Sequence, residues 1–119
     1  MKSSKLLDQS LDFSVYIVEY YKFLVYEMKE FVMSKQILRS GTSIGANINE
    51  AQYAISKADF ICKFHISLKE TSETIYWLKL LSKTGYLPDK YKFLLKKCHA
   101  LEYMLVASLN TAKIRNVEN

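Results

Sequence analysis

Six lysines between residues 79 and 97 are the part of this sequence whose type and spacing point most directly to chemistry. Only one acidic residue, Asp89, lies in the same stretch, whereas the rest of the chain carries equal numbers of basic and acidic residues. The net charge of +5 is therefore concentrated in this segment. A dense set of ammonium groups attracts phosphate backbones through counterion release, without reading bases. The six lysines are Lys79, Lys83, Lys90, Lys92, Lys96 and Lys97.

Two neighbouring features extend this basic segment. Lys35 and Arg39 follow the predicted turn between the first two helices, which we expect to lie at the same end of the molecule. Tyr86 and Tyr91 lie inside the segment and offer rings on which unpaired bases can stack. The pattern indicates RNA or DNA as a ligand. A lysine-rich end that only keeps a protein in solution has the same composition, so both interpretations stay open.

No arrangement of residues matches a common catalytic or metal site. A di-metal carboxylate site in a helix bundle needs Glu-x-x-His, and no glutamate is followed by a histidine at that spacing. His65 and His99 each stand without a second ligand at metal-binding spacing. The glycines of Gly41-x-x-x-Gly45 lack the Lys-Ser/Thr pair of a phosphate-binding loop. We therefore predict that the protein is not an enzyme and uses no cofactor or metal.

The elements that position these residues are predicted to be helices. One proline and three glycines in 119 residues leave few turns, and half of the residues are apolar. Apolar residues recur at spacings of three and four along four segments that are joined by short connections. We predict one domain, residues 1–119, with an all-α, antiparallel up-down-up-down four-helix bundle. The predicted helices span about residues 4–30, 34–55, 57–84 and 88–114.

The first helix carries more apolar surface than a single bundle face needs. One apolar stripe is spaced alternately by four and three, which is the pattern of a bundle seam, and a second stripe runs beside it. Most of the helix surface is therefore apolar, which predicts that further copies of the chain cover part of it. The predicted seam is Leu7, Leu11, Ser14, Val18, Tyr21, Val25, Met28 and Val32, and the second stripe is Phe13, Ile17, Tyr20 and Leu24.

The second helix has small residues at helical spacing. Gly41 and Gly45 each lower helix stability by about 1 kcal/mol relative to alanine, and close contact with another helix would offset this loss. A polar line that includes Asn47 and Glu50 runs beside the apolar positions. We predict that this surface and the aromatic face of the first helix form a contact between subunits. The candidate contact residues are Tyr16, Tyr20, Phe23, Gly41, Gly45, Asn47 and Glu50.

Three features predict a cytoplasmic protein. Cys62 and Cys98 are the only cysteines, and they lie far apart among apolar residues, as is typical of reduced, buried thiols. The N-terminal segment becomes acidic at Asp8 before any long apolar run, unlike a secretion signal. The most apolar stretch, residues 13–26, contains charged residues and is too short to span a bilayer. We therefore expect no membrane partner.

A longer pattern in the second and third helices resembles a known family. The segment SKQILRSGTSIGANINEA, residues 34–51, and the following SKADF, residues 56–60, resemble the four helix bundle family. Its members are encoded in intervening sequences of bacterial large-subunit ribosomal RNA genes. The later SLKET, residues 67–71, and YWLKLL, residues 76–81, fit the same pattern. The resemblance therefore covers nearly the whole chain.

This resemblance implies a homopentamer of four-helix bundles without enzymatic activity. The family is also similar to the accessory protein of diversity-generating retroelements, a basic pentameric barrel that assists a reverse transcriptase. Many family members have proline where Gly45 stands and glycine where Ala51 stands, and these departures affect the local helix start rather than the fold. Sharing a fold does not by itself establish a function.

Two functional hypotheses follow from the sequence. In the first, the chain is a non-enzymatic oligomer that holds RNA or DNA at a basic end, beside a nucleic-acid enzyme such as a reverse transcriptase. In the second, it is a protein-interaction scaffold with no nucleic-acid role, whose aromatic face on the first helix and glycine surface recruit another protein. Charge reversal at Lys92 and Lys96 separates the two, because it abolishes RNA binding under the first and leaves partner binding intact under the second.

Overall fold

Four α-helices make up most of the chain in a computed structural model, which describes the backbone of residues 2–118 and the side chains of residues 5–114. No strand occurs in this part of the chain, which confirms the all-α prediction. A short 3-10 turn, Asp89–Tyr91, precedes the last helix. The helices are α1 (Lys2–Tyr26), α2 (Met33–Ala51), α3 (Lys57–Lys83) and α4 (Phe93–Glu118).

Each helix packs against two others around a shared core. α1 lies against α2 and α4, and α3 lies against the same two helices. Burying one leucine or isoleucine side chain fully contributes about 1.5–3 kcal/mol, so this core is the main source of stability. It confirms the predicted inner faces of α2, α3 and α4, through burial of Ile37, Ile44, Ile48, Phe64, Leu78, Leu81, Leu94, Cys98, Leu101 and Leu105.

The first helix ends at Tyr26, four residues earlier than predicted. Lys29 adopts a left-handed backbone with φ of 54°, which an α-helix cannot continue. The Glu30 carboxylate then accepts hydrogen bonds from the backbone N–H groups of Val32 and Ser34, at 3.2 and 2.7 Å. A carboxylate at a helix N-terminus satisfies free N–H groups and opposes the helix dipole. Glu30 therefore starts α2 rather than extending α1.

The second helix also ends four residues earlier than predicted, at Ala51. Ile55, which the apolar pattern placed in the core, is 93% exposed in the turn that follows. Ser56 begins α3 by accepting a hydrogen bond from the backbone N–H of Asp59, and Asp59 accepts one from Ile55. The arrangement resembles a capping box, with Asp59 bonded to the residue before the N-cap, and α3 begins at Lys57 as predicted.

The last helix begins at Phe93 instead of Pro88. Gly85 ends α3 with φ of 85°, a conformation that favours glycine. Pro88 has an extended backbone and leads into the 3-10 turn. The apolar repeat from Tyr91 onward predicted one continuous helix, because periodicity does not distinguish a tight 3-10 turn from the first turn of an α-helix.

The two glycines of α2 face α1 of the same chain. A Cβ built at Gly41 would lie 2.9 Å from Cγ1 of Ile17, and one at Gly45 would lie 3.1 Å from Oγ of Ser10. The prediction that these glycines permit close helix contact is therefore correct. Their proposed role in a contact between subunits is wrong, since both are buried against α1.

Small polar residues join α2 to α3 inside the bundle. Thr74 donates its hydroxyl to Oγ of Ser40 at 2.9 Å, and Ser67 donates to the carbonyl oxygen of Ile44 at 2.9 Å. All of these hydroxyls are buried, and each bond satisfies a group that would otherwise be costly to remove from water. Hydroxyl-bearing residues thus allow α2 and α3 to approach closely while their polar atoms remain paired.

The predicted seam of α1 is not the buried face: its members are exposed or only half-buried, and Leu7 and Met28 pack at the edge of the core. The second stripe forms the core, because Phe13, Ile17, Tyr20 and Leu24 are at most 1% exposed. The physical reason lies on α2, whose glycines leave room only opposite Ser10 and Ile17. Of the predicted seam, Leu11 is 62% exposed and Val18 is 36% exposed.

Candidate functional site

The six lysines of residues 79–97, here called the basic cluster, lie where α3 ends and α4 begins. Two of them are one helical turn apart near the end of α3, and the other four lie in the 3-10 turn, directly after it and in the first two turns of α4. All six side chains are exposed: Lys79, Lys83, Lys90, Lys92, Lys96 and Lys97. Exposed ammonium groups at this spacing make a surface that is able to hold several phosphates.

Contacts with the end of α1 position the basic cluster. The Tyr20 hydroxyl donates a hydrogen bond to the carbonyl oxygen of Tyr86 at 2.9 Å. Burial raises the pKa of this hydroxyl, with further contributions from Glu30 and Tyr91, so it stays a proton donor. The Tyr91 ring lies 5.0 Å from that of Tyr20 and 5.2 Å from that of Phe23, measured between centroids. The connection between α3 and α4 is therefore held against the last turns of α1.

The two tyrosines that were expected to stack on bases serve this internal contact. Tyr86 and Tyr91 are both half-buried. The Nζ of Lys90 lies 4.5 Å from the centroid of the Phe23 ring and 5.5 Å from that of Tyr91. Such cation–π contacts hold the 3-10 turn on the aromatic surface of α1. The exposed rings near this end are instead Tyr26 and Phe31, which no motif in the sequence singles out.

The lysines differ in their contacts with other side chains of the protein. Lys92 forms an ion pair with Asp89 at 2.8 Å, and this hydrogen bond, followed by the attraction of opposite charges, lowers the pKa of the carboxyl group. Lys97 lies 5.7 Å from the ring centroid of Tyr16. Within the described side chains, no carboxylate lies at ion-pair distance from four exposed lysines, Lys35, Lys79, Lys83 and Lys96. These four ammonium groups can therefore meet a ligand without first breaking an ion pair.

Arg39 has two carboxylates of its own chain as partners. Its guanidinium donates to Glu70 at 2.9 Å and also to Glu73, which joins α2 to α3. Glu73 additionally accepts a hydrogen bond from Nε1 of Trp77 at 3.1 Å. The bond from Trp77, and then that from Arg39, lower the pKa of the Glu73 carboxyl group. A phosphate has to compete with both glutamates for Arg39.

The predicted subunit-contact residues occupy three kinds of position. Tyr20, Gly41 and Gly45 are buried inside the chain, so they are not available to a partner. Tyr16 and Phe23 of α1 are half-buried. The Tyr16 ring meets Phe93 of α4 edge-on at 5.0 Å, and the Phe23 ring contacts the 3-10 turn. The remaining two belong to the polar line of α2. Asn47 donates to the carbonyl oxygen of Ser43, and Glu50 is exposed and paired with Lys63 at 3.1 Å.

A continuous apolar stripe remains on the surface of α1. We call it the outer stripe and define it as Leu7, Leu11, Ser14, Val18, Tyr21 and Val25. None of its members is fully buried, and Val15, which is 52% exposed, widens it. Alternating spacings of four and three place such residues in one row along a helix, where another helix can pack on them. Leu7 packs partly on the core, whereas Leu11, Val15 and Val18 are exposed, so the middle of the outer stripe is an apolar surface on which a second helix can pack.

Groups that often carry chemistry are dispersed in the described part of the chain. No cluster of three or more histidine, cysteine or acidic side chains at metal-binding distance is found there. His99 lies 3.2 Å from Glu102 on the surface of α4, and His65 is exposed on α3. Cys98 is buried as expected, whereas Cys62 is exposed, contrary to the prediction. None of the described helices combines the length and apolarity that crossing a membrane requires.

Comparisons with known proteins identify relatives of this chain. The family described as 23S rRNA-intervening sequence protein matches residues 2–107. A solved structure from Bacteroides thetaiotaomicron, described as a protein with unknown function from the S23 ribosomal protein family, is 53% identical, with a TM-score of 0.89. The match covers 92% of this chain and 99% of that one. No curated protein matches. With its four packed helices and a family match over most of its length, the chain belongs to the 23S rRNA-intervening sequence protein family.

Proposed function

We propose that this protein is a non-enzymatic, self-associating helix bundle that binds RNA or DNA through its basic end. The observation that carries the proposal is the position of the net charge. The whole excess of +5 comes from residues 79–97, and all six lysines of that segment are exposed around one connection between helices. A lysine-rich end that serves only solubility does not require this concentration, since charge spread over the surface is equally effective.

The chemistry of the basic end suits phosphate backbones rather than particular bases. Each lysine that neutralises a phosphate releases a counterion, so binding weakens steeply as salt rises. Lys35 extends the surface onto the first turn of α2. Arg39 contributes less in this proposal, because Glu70 and Glu73 already occupy its guanidinium.

A titration with single-stranded RNA at low salt tests this part of the proposal. The informative variant replaces Lys79, Lys83 and Lys96 by glutamine. The control replaces Lys57, Lys69 and Lys113, which are exposed elsewhere, and changes the net charge equally. We expect the first variant to lose affinity and the salt dependence to fall by about 0.7 per lost phosphate contact, with a much smaller change in the control. Equal losses in both, or no binding by the wild type, would refute a localised site.

We further propose that the four helices are arranged up-down-up-down and that five copies assemble. The contacts support alternating directions, because Ser10 and Ile17 of α1 meet Gly45 and Gly41 of α2 in reverse order. The outer stripe supports self-association, since a regular apolar row on a surface helix marks an interaction site. The number five is the one implied by the resemblance to the retroelement accessory protein.

Light scattering at micromolar concentration tests assembly directly. A stable particle of 13.9 kDa would exclude it. We expect a larger particle for the wild type and a smaller one for Val18→Glu, because a charge in an apolar contact is costly to bury. Gln36→Glu, at an exposed position of α2, adds the same charge away from the outer stripe and should leave the particle unchanged.

The outer stripe also favours one alternative function, a protein-interaction scaffold without a nucleic-acid role. In the first view the basic end serves a nucleic-acid enzyme such as a reverse transcriptase in the cytoplasm, and the outer stripe serves assembly. In the alternative view the outer stripe binds a different protein. Reversing the charge of Lys92 and Lys96 distinguishes them: loss of RNA binding supports the first, and capture of the same protein partner by wild type and variant supports the second.

A further inference from the structure

An open pocket lies beside the basic cluster, on the last two turns of α1. Glu19, Lys22, Phe23, Tyr26 and Glu27 line one side, at spacings that put them on a single helical face. Lys90 and its neighbour Tyr91 close the other side from the 3-10 turn. The cavity volume is about 280 Å³. Pockets for drug-sized molecules measure about 300–1,000 Å³, so this one suits a smaller group.

The pocket combines aromatic surface with balanced charge. Phe23 and Tyr91 line it with ring centroids 5.2 Å apart, next to the Lys90 ammonium group. Tyr26 also lines it, with 68% of its surface exposed. Two lysines and two glutamates line it in equal numbers. A phosphate gains little in a site without net charge, whereas a neutral aromatic group fits one. The neighbouring lysines of the basic cluster provide the charge that the pocket lacks.

We infer that this pocket takes an unpaired nucleobase, so the nucleic acid at the basic end is a single strand; the inference rests on the proposed nucleic-acid function. The base stacks on the exposed face of Tyr26, and its flanking phosphates lie on lysines of the basic cluster. Stacking needs a base that is free of its partner strand, which a regular duplex does not offer.

The two glutamates add a preference among bases. Carboxylate oxygens accept hydrogen bonds and cannot donate them, so Glu19 and Glu27 favour the exocyclic amino groups of cytosine, adenine and guanine. Uracil has no such amino group, and its one donor on the pairing edge, N3–H, lies between two carbonyl oxygens that a carboxylate repels. The pocket therefore distinguishes oligocytidine from oligouridine, although both strands carry the same backbone and the same charge.

Binding of fluorescent oligocytidine, oligouridine and an RNA duplex of equal length tests the inference. We expect wild-type protein to prefer oligocytidine. Tyr26→Ala should weaken its binding roughly tenfold or more, the usual effect of losing one stacked ring, while duplex binding stays unchanged. Tyr26→Phe keeps the ring and should keep the preference. Tyr103→Ala removes a ring that is 77% exposed on α4, away from the pocket, and serves as the control.

Each outcome supports or overturns the inference. Equal affinity of the wild type for single strand and duplex would overturn it. So would a loss of affinity in Tyr26→Ala that is the same for both ligands, and either result would leave the basic end as a general polyanion site. No binding to any of the three would overturn the proposed function as well. Because Tyr26 is exposed, Tyr26→Ala should fold, and an unchanged far-ultraviolet circular dichroism spectrum verifies this.

Discussion

Two apolar stripes of α1 look alike in the sequence and end in opposite environments. The inner stripe, Phe13, Ile17, Tyr20 and Leu24, is at most 1% exposed, whereas Leu11 of the outer stripe is 62% exposed. Both follow the alternation of three and four that brings side chains onto one helical face. Apolar periodicity therefore shows where a helix is able to pack, and it does not show which of two faces the rest of the chain covers.

The neighbouring helix decides between the two stripes. Gly41 and Gly45 remove side chains from α2 where Ile17 and Ser10 approach it, so the two backbones come close there. The outer stripe meets no such cleft in the described part of the chain, and Leu11 and Val18 in it remain exposed. Small residues on one helix thus select the buried face of the next, a rule that the following predictions test from the largest expected effect to the smallest.

Shortening one leucine in each stripe gives the most direct test. Leu24→Ala removes a fully buried side chain and should lower the free energy of unfolding by about 2–5 kcal/mol. Leu11→Ala makes the same chemical change at an exposed position of the same helix and should stay within about 0.5 kcal/mol for the dissociated chain. Urea unfolding of both variants measures the difference.

Repeating the unfolding of Leu24→Ala and Leu11→Ala at several protein concentrations distinguishes an effect on folding from an effect on assembly. If the outer stripe is an interface, the effect of Leu11→Ala should grow with protein concentration, because association stabilises the folded subunit by mass action. The effect of Leu24→Ala should appear at every concentration. Equal costs for the two variants in dilute solution would show that both faces belong to the core of one subunit, contrary to the fold described above.

A side chain added at Gly41, in the cleft on α2, should cause the next largest loss of stability. The Cβ of Gly41→Ala would lie 2.9 and 3.0 Å from the two γ carbons of Ile17, whose β-branched side chain has little freedom to move. The clash should outweigh the gain of about 1 kcal/mol in helix propensity and destabilise the protein by about 1–3 kcal/mol. Ser72→Ala, at an exposed position of α3, is the control and should be neutral or slightly stabilising. If thermal unfolding shows Gly41→Ala to be more stable than wild type, the close approach of α1 and α2 does not require glycine at this position.

The sequence predicts the four helices and most of their inner faces because burial leaves a clear apolar pattern. It predicts the start of α3, where Ser56 caps the helix. It does not predict the ends of α1 and α2, and the first of these depends on the φ angle of Lys29 and on hydrogen bonds to Glu30. The basic cluster is equally visible in the sequence, because exposed lysines need no partner to be recognised. The aromatic surroundings of the basic cluster are not visible in the sequence, since only the structure shows that Tyr91 packs on α1 and that Tyr26 is exposed.

The buried thiol of Cys98 makes the stability of the protein depend on pH, which an exposed thiol would not do. Burial raises the pKa of the Cys98 thiol to about 12 from a model-compound value of 9.0, with a further contribution from Glu102. Between these values the unfolded chain releases the proton and the folded chain keeps it, so stability is lost as pH rises through this window. The loss approaches about 1.4 kcal/mol per pH unit.

Comparing wild type with Cys98→Ala isolates this contribution. The variant lacks the thiol and should lose less stability between pH 9.0 and about 12. The difference in free energy of unfolding between the two proteins should therefore narrow as pH rises. Parallel stability curves over this range, measured by urea unfolding at fixed ionic strength, would show that the thiol titrates in the folded chain as it does in the unfolded one.

The smallest expected effect on stability belongs to the surface contact between α2 and α3. Arg39 is 50% exposed, and ion pairs of exposed side chains contribute about 0–1 kcal/mol, less at high salt. Arg39→Gln should therefore cost less than 1 kcal/mol, far below Leu24→Ala. It should also reduce RNA affinity less than Lys83→Gln does, because Glu70 and Glu73 already neutralise the guanidinium. A larger affinity loss for Arg39→Gln would mean that RNA displaces both glutamates, and the binding surface would then extend from the basic end along α2.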